Sequence, residues 1–119
     1  MKVLVVDDSA TLRKIAIKAV KDSGFAVEFA EAADGLEALE ELEKHEFALV
    51  LSDLNMPRLD GVELVRRVRA SGSRVAIVMR APEGGLARLQ EALDAGADDC
   101  LRNPFTPQQL RGKLGRFLG

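Results

Sequence analysis

At 119 residues, with 47% hydrophobic and 30% charged residues, the chain has the size and balance of one globular domain, 1–119, with a single core. A net charge of -2, one cysteine and no Trp or Tyr argue against an internal disulfide and against bases stacking on aromatic rings. The apolar runs are too short for a membrane span, and a strand pattern starts after one lysine; the expectation is no membrane helix, no signal peptide and a reducing, cytoplasmic setting.

In chain order, Val3-Leu4-Val5-Val6 reads as a strand apolar on both faces, ending on Asp7-Asp8. Ser9 offers an N-cap hydroxyl, and Leu12, Ile15, Ala16, Ala19 and Val20 follow at helical spacing up to Gly24. Phe25 to Ala30 is predicted as a short strand. Asp34-Gly35-Leu36-Glu37 has capping-box spacing and opens a helix carrying Leu36, Leu39 and Leu42.

Ala48 to Asp53 is a second fully apolar strand that ends on an acid, and Pro57 forces a turn soon after it. Asp60-Gly61-Val62-Glu63 repeats the capping spacing, with Val62, Val65 and Val68 as the apolar face of a helix stopping near Gly72. Val75 to Met79 is a third apolar strand, followed by a loop at Pro82-Glu83-Gly84-Gly85. Glu83 can reach a cleft mouth from that loop, although loop acids mostly face water. Leu86, Leu89 and Leu93 line the next helix, which Gly96 ends. Asp99 to Arg102 is a weak last strand. Thr106-Pro107-Gln108-Gln109 then combines a cap, an N1 proline and a capping-box partner, and Leu110, Leu114, Phe117 and Leu118 form the apolar face of the final helix.

Five strands alternating with five helices over short connections imply right-handed crossovers, hence a parallel α/β sheet covered on both faces. All strand C-termini then lie on one edge, where ligands of such sheets bind. Asp7, Asp8 and Asp53 arrive there together. Strand-end Asp is common as a turn former, but a pair after one apolar strand and a third after another is more than turn chemistry requires. Three converging carboxylates repel unless a cation lies among them, and a few hard oxygens with room for water suit Mg²⁺ better than Zn²⁺ or a structural Ca²⁺. A carboxylate beside that ion is also a nucleophile toward a phosphoryl group.

With these residues in view, the chain resembles, over its full length, the receiver domain of two-component response regulators, the CheY-like family. Val3-Leu4-Val5-Val6-Asp7-Asp8-Ser9 is similar to the family's first strand and acid pair. Leu51-Ser52-Asp53-Leu54-Asn55-Met56-Pro57-Arg58-Leu59-Asp60-Gly61 is similar to its acceptor strand and loop, and Asn103-Pro104-Phe105 sits where the family has Lys-Pro-Phe. The resemblance implies a flavodoxin-like fold with sheet order 2-1-3-4-5. It implies that Asp53 accepts a phosphoryl group from a histidine kinase or phosphotransfer protein. Asp8, Asp53 and the Asn55 main-chain carbonyl would bind Mg²⁺ directly, with Asp7 acting through water. It implies a downstream protein partner on the 98–118 face and no enzyme activity beyond phosphoryl transfer to Asp53 and its hydrolysis.

The departures are equally specific. Arg80 stands where the family has Thr or Ser, and Asn103 where it has Lys. Cys100 occupies a place near which an aromatic is common. Asn103 can donate a hydrogen bond but supplies no charge. Arg80 supplies charge, either by folding over the site to pair with Asp53 or by pointing to solvent and leaving the site inert. The alternative function is therefore a phosphorylation-independent pseudo-receiver, a protein-interaction module on the same scaffold. A metal-dependent phosphotransferase or phosphatase is a distant third, because the short loops leave no room for a substrate-binding insertion.

Residues 1–60 carry 7 Lys/Arg against 13 Asp/Glu, and residues 61–119 carry 10 against 6. The basic residues of the second half are scattered, which argues against direct nucleic-acid binding and fits an acidic protein partner. Arg111, Lys113 and Arg116 can support a weak dimer through the last helix, with a monomer as the default. His45, at a helix end with no acceptor motif around it, is expected to face solvent, and Cys100 to be a small packed side chain.

Overall fold

The computed structural model describes residues 1–82 and 84–119. The Glu83 reading lies outside the described residues. Five strands and five helices alternate: β1 (Lys2–Val6), α1 (Ala10–Asp22), β2 (Glu28–Ala32), α2 (Gly35–Lys44), β3 (Leu49–Asp53), α3 (Gly61–Ala70), β4 (Ala76–Ala81), α4 (Leu86–Ala95), β5 (Asp99–Arg102) and α5 (Pro107–Leu118). They form one sheet, all parallel, in the order β2-β1-β3-β4-β5. This is the flavodoxin-like arrangement that the resemblance implied.

The helices divide between the two faces. Leu4, Val6, Val50, Ile77 and Met79 pack on one side against α2, α3 and α4. Val3, Val5, Leu49, Leu51, Val78 and Leu101 pack on the other against α1 and α5. Both faces of the central strands are therefore dry, which is why their sequences show no polar alternation.

The helix starts follow their caps. Ser9 accepts from the Leu12 N–H, Asp34 from Glu37 and Asp60 from Glu63. Thr106 and Gln109 form the full reciprocal box at α5. At α2 the reciprocal arm lands one residue early, since the Glu37 carboxylate accepts from Ala33 N–H rather than from the cap residue.

Four expectations shift. The second strand is Glu28–Ala32, not 25–30; Phe25 and Val27 pack against the core before the ladder begins. On α1, Ala16 and Val20 are buried, whereas Leu12 and Ile15 are exposed, because α5 covers only the inner stripe. The fourth strand runs to Ala81, so Arg80 is a strand residue. Lys113 and Arg116, read as support for a weak dimer, both pair within the chain, on Asp99. His45 is exposed as expected.

Candidate functional site: an acidic edge with a buried arginine

The site follows from strand register. Val6 is level with Ser52, and Asp53 is level with Arg80. One step past β1, Asp7 comes level with Asp53. Three charged residues thus stand abreast at the C-terminal edge of β1, β3 and β4. Side chains alternate along a strand and level residues of a ladder share a face. Val3-Val5-Asp7, Leu49-Leu51-Asp53 and Val78-Arg80 therefore carry one parity, that of the α1–α5 side.

Asp7 is fully buried. Its Oδ1 accepts from Ser9 N–H at 2.9 Å, and its backbone carbonyl accepts from Arg13 Nη1 at 2.6 Å. Asp8 is exposed at the mouth of the cluster. Asp53 is half-buried, and its Oδ1 accepts from Leu54 N–H at 2.8 Å, which fixes the carboxylate plane. Asp7, Asp8 and Asp53 each offer a carboxylate oxygen, all within 4.8 Å of one another.

Burial pushes the Asp53 carboxyl above its ordinary value and the Asp7 charge adds to this, against the Leu54 N–H and Arg80. Burial raises Asp7 too, opposed by the Ser9 N–H and Arg80. In both acids burial is the larger cause, and a neighbouring carboxylate adds to it.

Arg80 decides between its two sequence readings by taking neither. It is 7% exposed, so it does not point to solvent. Its Nη1 lies 3.4 Å from Asp7 Oδ2, so its ion-pair partner is Asp7 rather than Asp53. The contact is unfinished: Asp7 Oδ2, Arg80 Nε and Arg80 Nη1 are all buried without a hydrogen-bond partner among the described residues. Each such orphan costs about 1–3 kcal/mol. An orphaned buried carboxylate oxygen beside two further acids is the donor set that a hard divalent cation fits.

The other expected site residues lie around this core. Asn55 is exposed on the loop after β3. Asn103 is exposed just past β5, its N–H donating to Ala81 carbonyl at 3.0 Å, and the peptide joining it to Pro104 is cis. Cys100 is a free, half-buried thiol.

The wall behind Asp53 is close-packed. A Cβ on Gly61 would lie 2.6 Å from the Asp53 carbonyl oxygen and 2.6 Å from Met79 Cε. The Gly61 N–H also donates to Leu54 carbonyl, and the Leu54 N–H to Arg80 carbonyl. Asp60, the α3 cap, is additionally held by Arg88 of α4. Sequence reasoning missed this wall, the Arg88 contact and the Arg13 clasp on Asp7. Only the parity count from Val78 to Arg80 was available as a signal for the buried arginine.

Comparison with known proteins places this geometry. A family profile described as "Response regulator receiver domain" matches residues 3–115. The chain is 40% identical over 122 aligned positions to "Chemotaxis protein CheY1" of Helicobacter pylori, covering 100% of this chain and 98% of that protein. It is 43% identical to "Chemotaxis protein CheY homolog" of Campylobacter jejuni, covering 100% and 93%. Among solved structures, CheY4 of Vibrio cholerae superimposes with a TM-score of 0.84 at 38% identity, covering 98% of each chain.

Proposed function

Because this chain belongs to the response regulator receiver domain family of two-component signalling, as a CheY-type member, we propose that residues 1–119 act as one receiver unit with Asp53 as phosphoacceptor. The observation that carries this is the Asp53 carboxylate, half-buried at the sheet edge, with Asp7 and Asp8 oxygens within 4.8 Å. Asp7, Asp8, Asp53 and the Asn55 main-chain carbonyl would hold Mg²⁺. Bound there, the ion supplies Lewis-acid neutralisation of phosphoryl and carboxylate charge.

The chain's own residues do the rest. The Leu54 N–H holds Asp53 Oδ1 and so orients the carboxylate. A carboxylate oxygen of Asp53 forms the new O–P bond, while the donor's bond to phosphorus breaks and the donor leaves with the electron pair. With a kinase or phosphotransfer protein the donor is a phosphohistidine. Switching is non-standard, since Arg80 and Asn103 replace Thr/Ser and Lys. The phosphorylated form passes its signal to a protein on the 98–118 face, where Cys100, Asn103, Phe105, Gln109 and Lys113 line a cleft. The chemotaxis names of its relatives make a motility output the first to test. The setting is cytoplasmic, with neither nucleic acid nor membrane contacted directly; no helix among the described residues is long and apolar enough to cross a membrane.

The test is incubation with Mg²⁺ and acetyl phosphate, read by intact mass. One added phosphoryl group is expected, and Asp53→Asn should abolish it. No adduct under conditions that label other receivers would replace this reading with the pseudo-receiver one. The Arg80–Asp7 contact favours that second reading, because it partly neutralises the pocket without a metal.

A further inference from the structure

We propose that Arg80 is the phosphoryl-binding cation of this site: its guanidinium leaves Asp7 and takes the oxygens of a phosphoryl group carried by Asp53. This rests on Asp53 being the acceptor. Three observations lead to it.

The first is placement. Arg80 is level with Asp53 on the neighbouring strand and shares its side-chain parity, so a group added to Asp53 arrives beside the guanidinium. The second is the unfinished bonding. Arg80 is buried, yet among the described residues its Nε and Nη1 have no hydrogen-bond partner, and its approach to Asp7 is a 3.4 Å ion contact, long for a charge-assisted hydrogen bond. A planar guanidinium with free donors matches two oxygens of a tetrahedral phosphoryl group.

The third is elimination. Among the described residues, the other cations near this end of the sheet are engaged. Arg13 holds Glu31 and the Asp7 carbonyl, Arg58 holds Asp34, and Arg88 holds Asp60. Lys113 and Arg116 hold Asp99. Arg102 is exposed and of the opposite parity to Asn103, which carries no charge.

With acetyl phosphate the balance is simple. An Asp53 oxygen bonds to phosphorus, the acetyl O–P bond breaks, acetate departs with the electron pair, and no proton moves. The phosphoryl group brings more negative charge than Asp7 alone, so Arg80 exchanges one anion for a stronger one. Asp7 Oδ2 is released at the same moment.

The experiment uses the whole chain, acetyl phosphate and Mg²⁺, with ¹⁵N-detected arginine side-chain resonances assigned through Arg80→Met. On labelling of the unsubstituted protein, the Arg80 Nε–H resonance should shift and its exchange with water should slow. Labelling of Arg80→Met should be about a hundredfold slower than that of the parent, and Arg80→Lys should recover part of the rate. A residue that only supports the fold would alter the unfolding midpoint and leave the resonance response absent. If the parent is labelled while the Arg80 resonance stays still and Arg80→Met is labelled at the parental rate, this inference is wrong and the acceptor role stands. If the parent takes no label, both fall together.

Discussion

Removing the Arg80 charge should tighten Mg²⁺ binding. From the sequence the sign is open, because freeing a competing cation and exposing unbalanced acids pull in opposite directions. The burial of Arg80 decides it. Arg80 Nη1 stands 3.4 Å from Asp7 Oδ2, an attraction of about 5 kcal/mol at an effective dielectric constant of about 20. Arg80→Met withdraws that attraction from the metal-free state and withdraws a repulsion from the metal-bound one, so both changes favour the ion. Water entering the pocket and residual relaxation offset much of this. A net gain of about 1.4–2.8 kcal/mol corresponds to a Kd lower by roughly ten- to a hundredfold. Calorimetric titration with Mg²⁺ of the parent and the variant reads it directly. An unchanged or weaker affinity in a folded variant would refute the argument that Arg80 opposes the metal.

Other outcomes follow from the scaffold. Asp99→Asn should cost about 1 kcal/mol in urea unfolding, since Asp99 accepts from Lys113, Arg116 and Cys100 N–H but its basic partners are partly solvated. Burial pushes the Asp99 carboxyl up, yet Lys113, the Cys100 N–H and Arg116 outweigh it and hold the group below 3.8. Its stabilisation is thus present above that value and lost as pH falls through the lowered one, so the acid limb of stability against pH should be shallower in Asp99→Asn. Asp34→Ala should cost about 1–2 kcal/mol by the same measurement, because it removes the α2 cap and the partner of Arg58. Gly61→Ala should cost about 3 kcal/mol and slow labelling of Asp53, since the new methyl meets the fixed Asp53 carbonyl as well as the movable end of Met79.

Much of the architecture was readable because its signals were redundant. The α5 start carried cap, proline and box partner together, and all three form. Asp7, Asp8 and Asp53 were identifiable because each followed a run too apolar to be a loop, and they do converge. The reading weakened where a residue's place depended on a partner strand or helix. β2 is an edge strand of mixed pattern, Glu28 to Ala32, so its bounds come from pairing with Lys2–Val6. Leu12 and Ile15 fit a helical stripe, but α5 leaves them bare. Arg80 falls beyond the strand expected over Val75 to Met79, and only the parity count from Val78 bears on which way its side chain points. Its neighbour in space, Asp7, is 73 positions away in the chain.

The bond between Arg88 and Asp60 has a mechanical consequence. Asp60 caps α3 and Arg88 lies in the first turn of α4, so this ion pair ties the starts of two helices together near the acidic edge of the sheet. Both partners are partly exposed, so the tie is a soft one, of about 1 kcal/mol or less. Arg88→Ala releases it without altering Asp7, Asp8 or Asp53, which separates the freedom of the two helix starts from the chemistry of the acids.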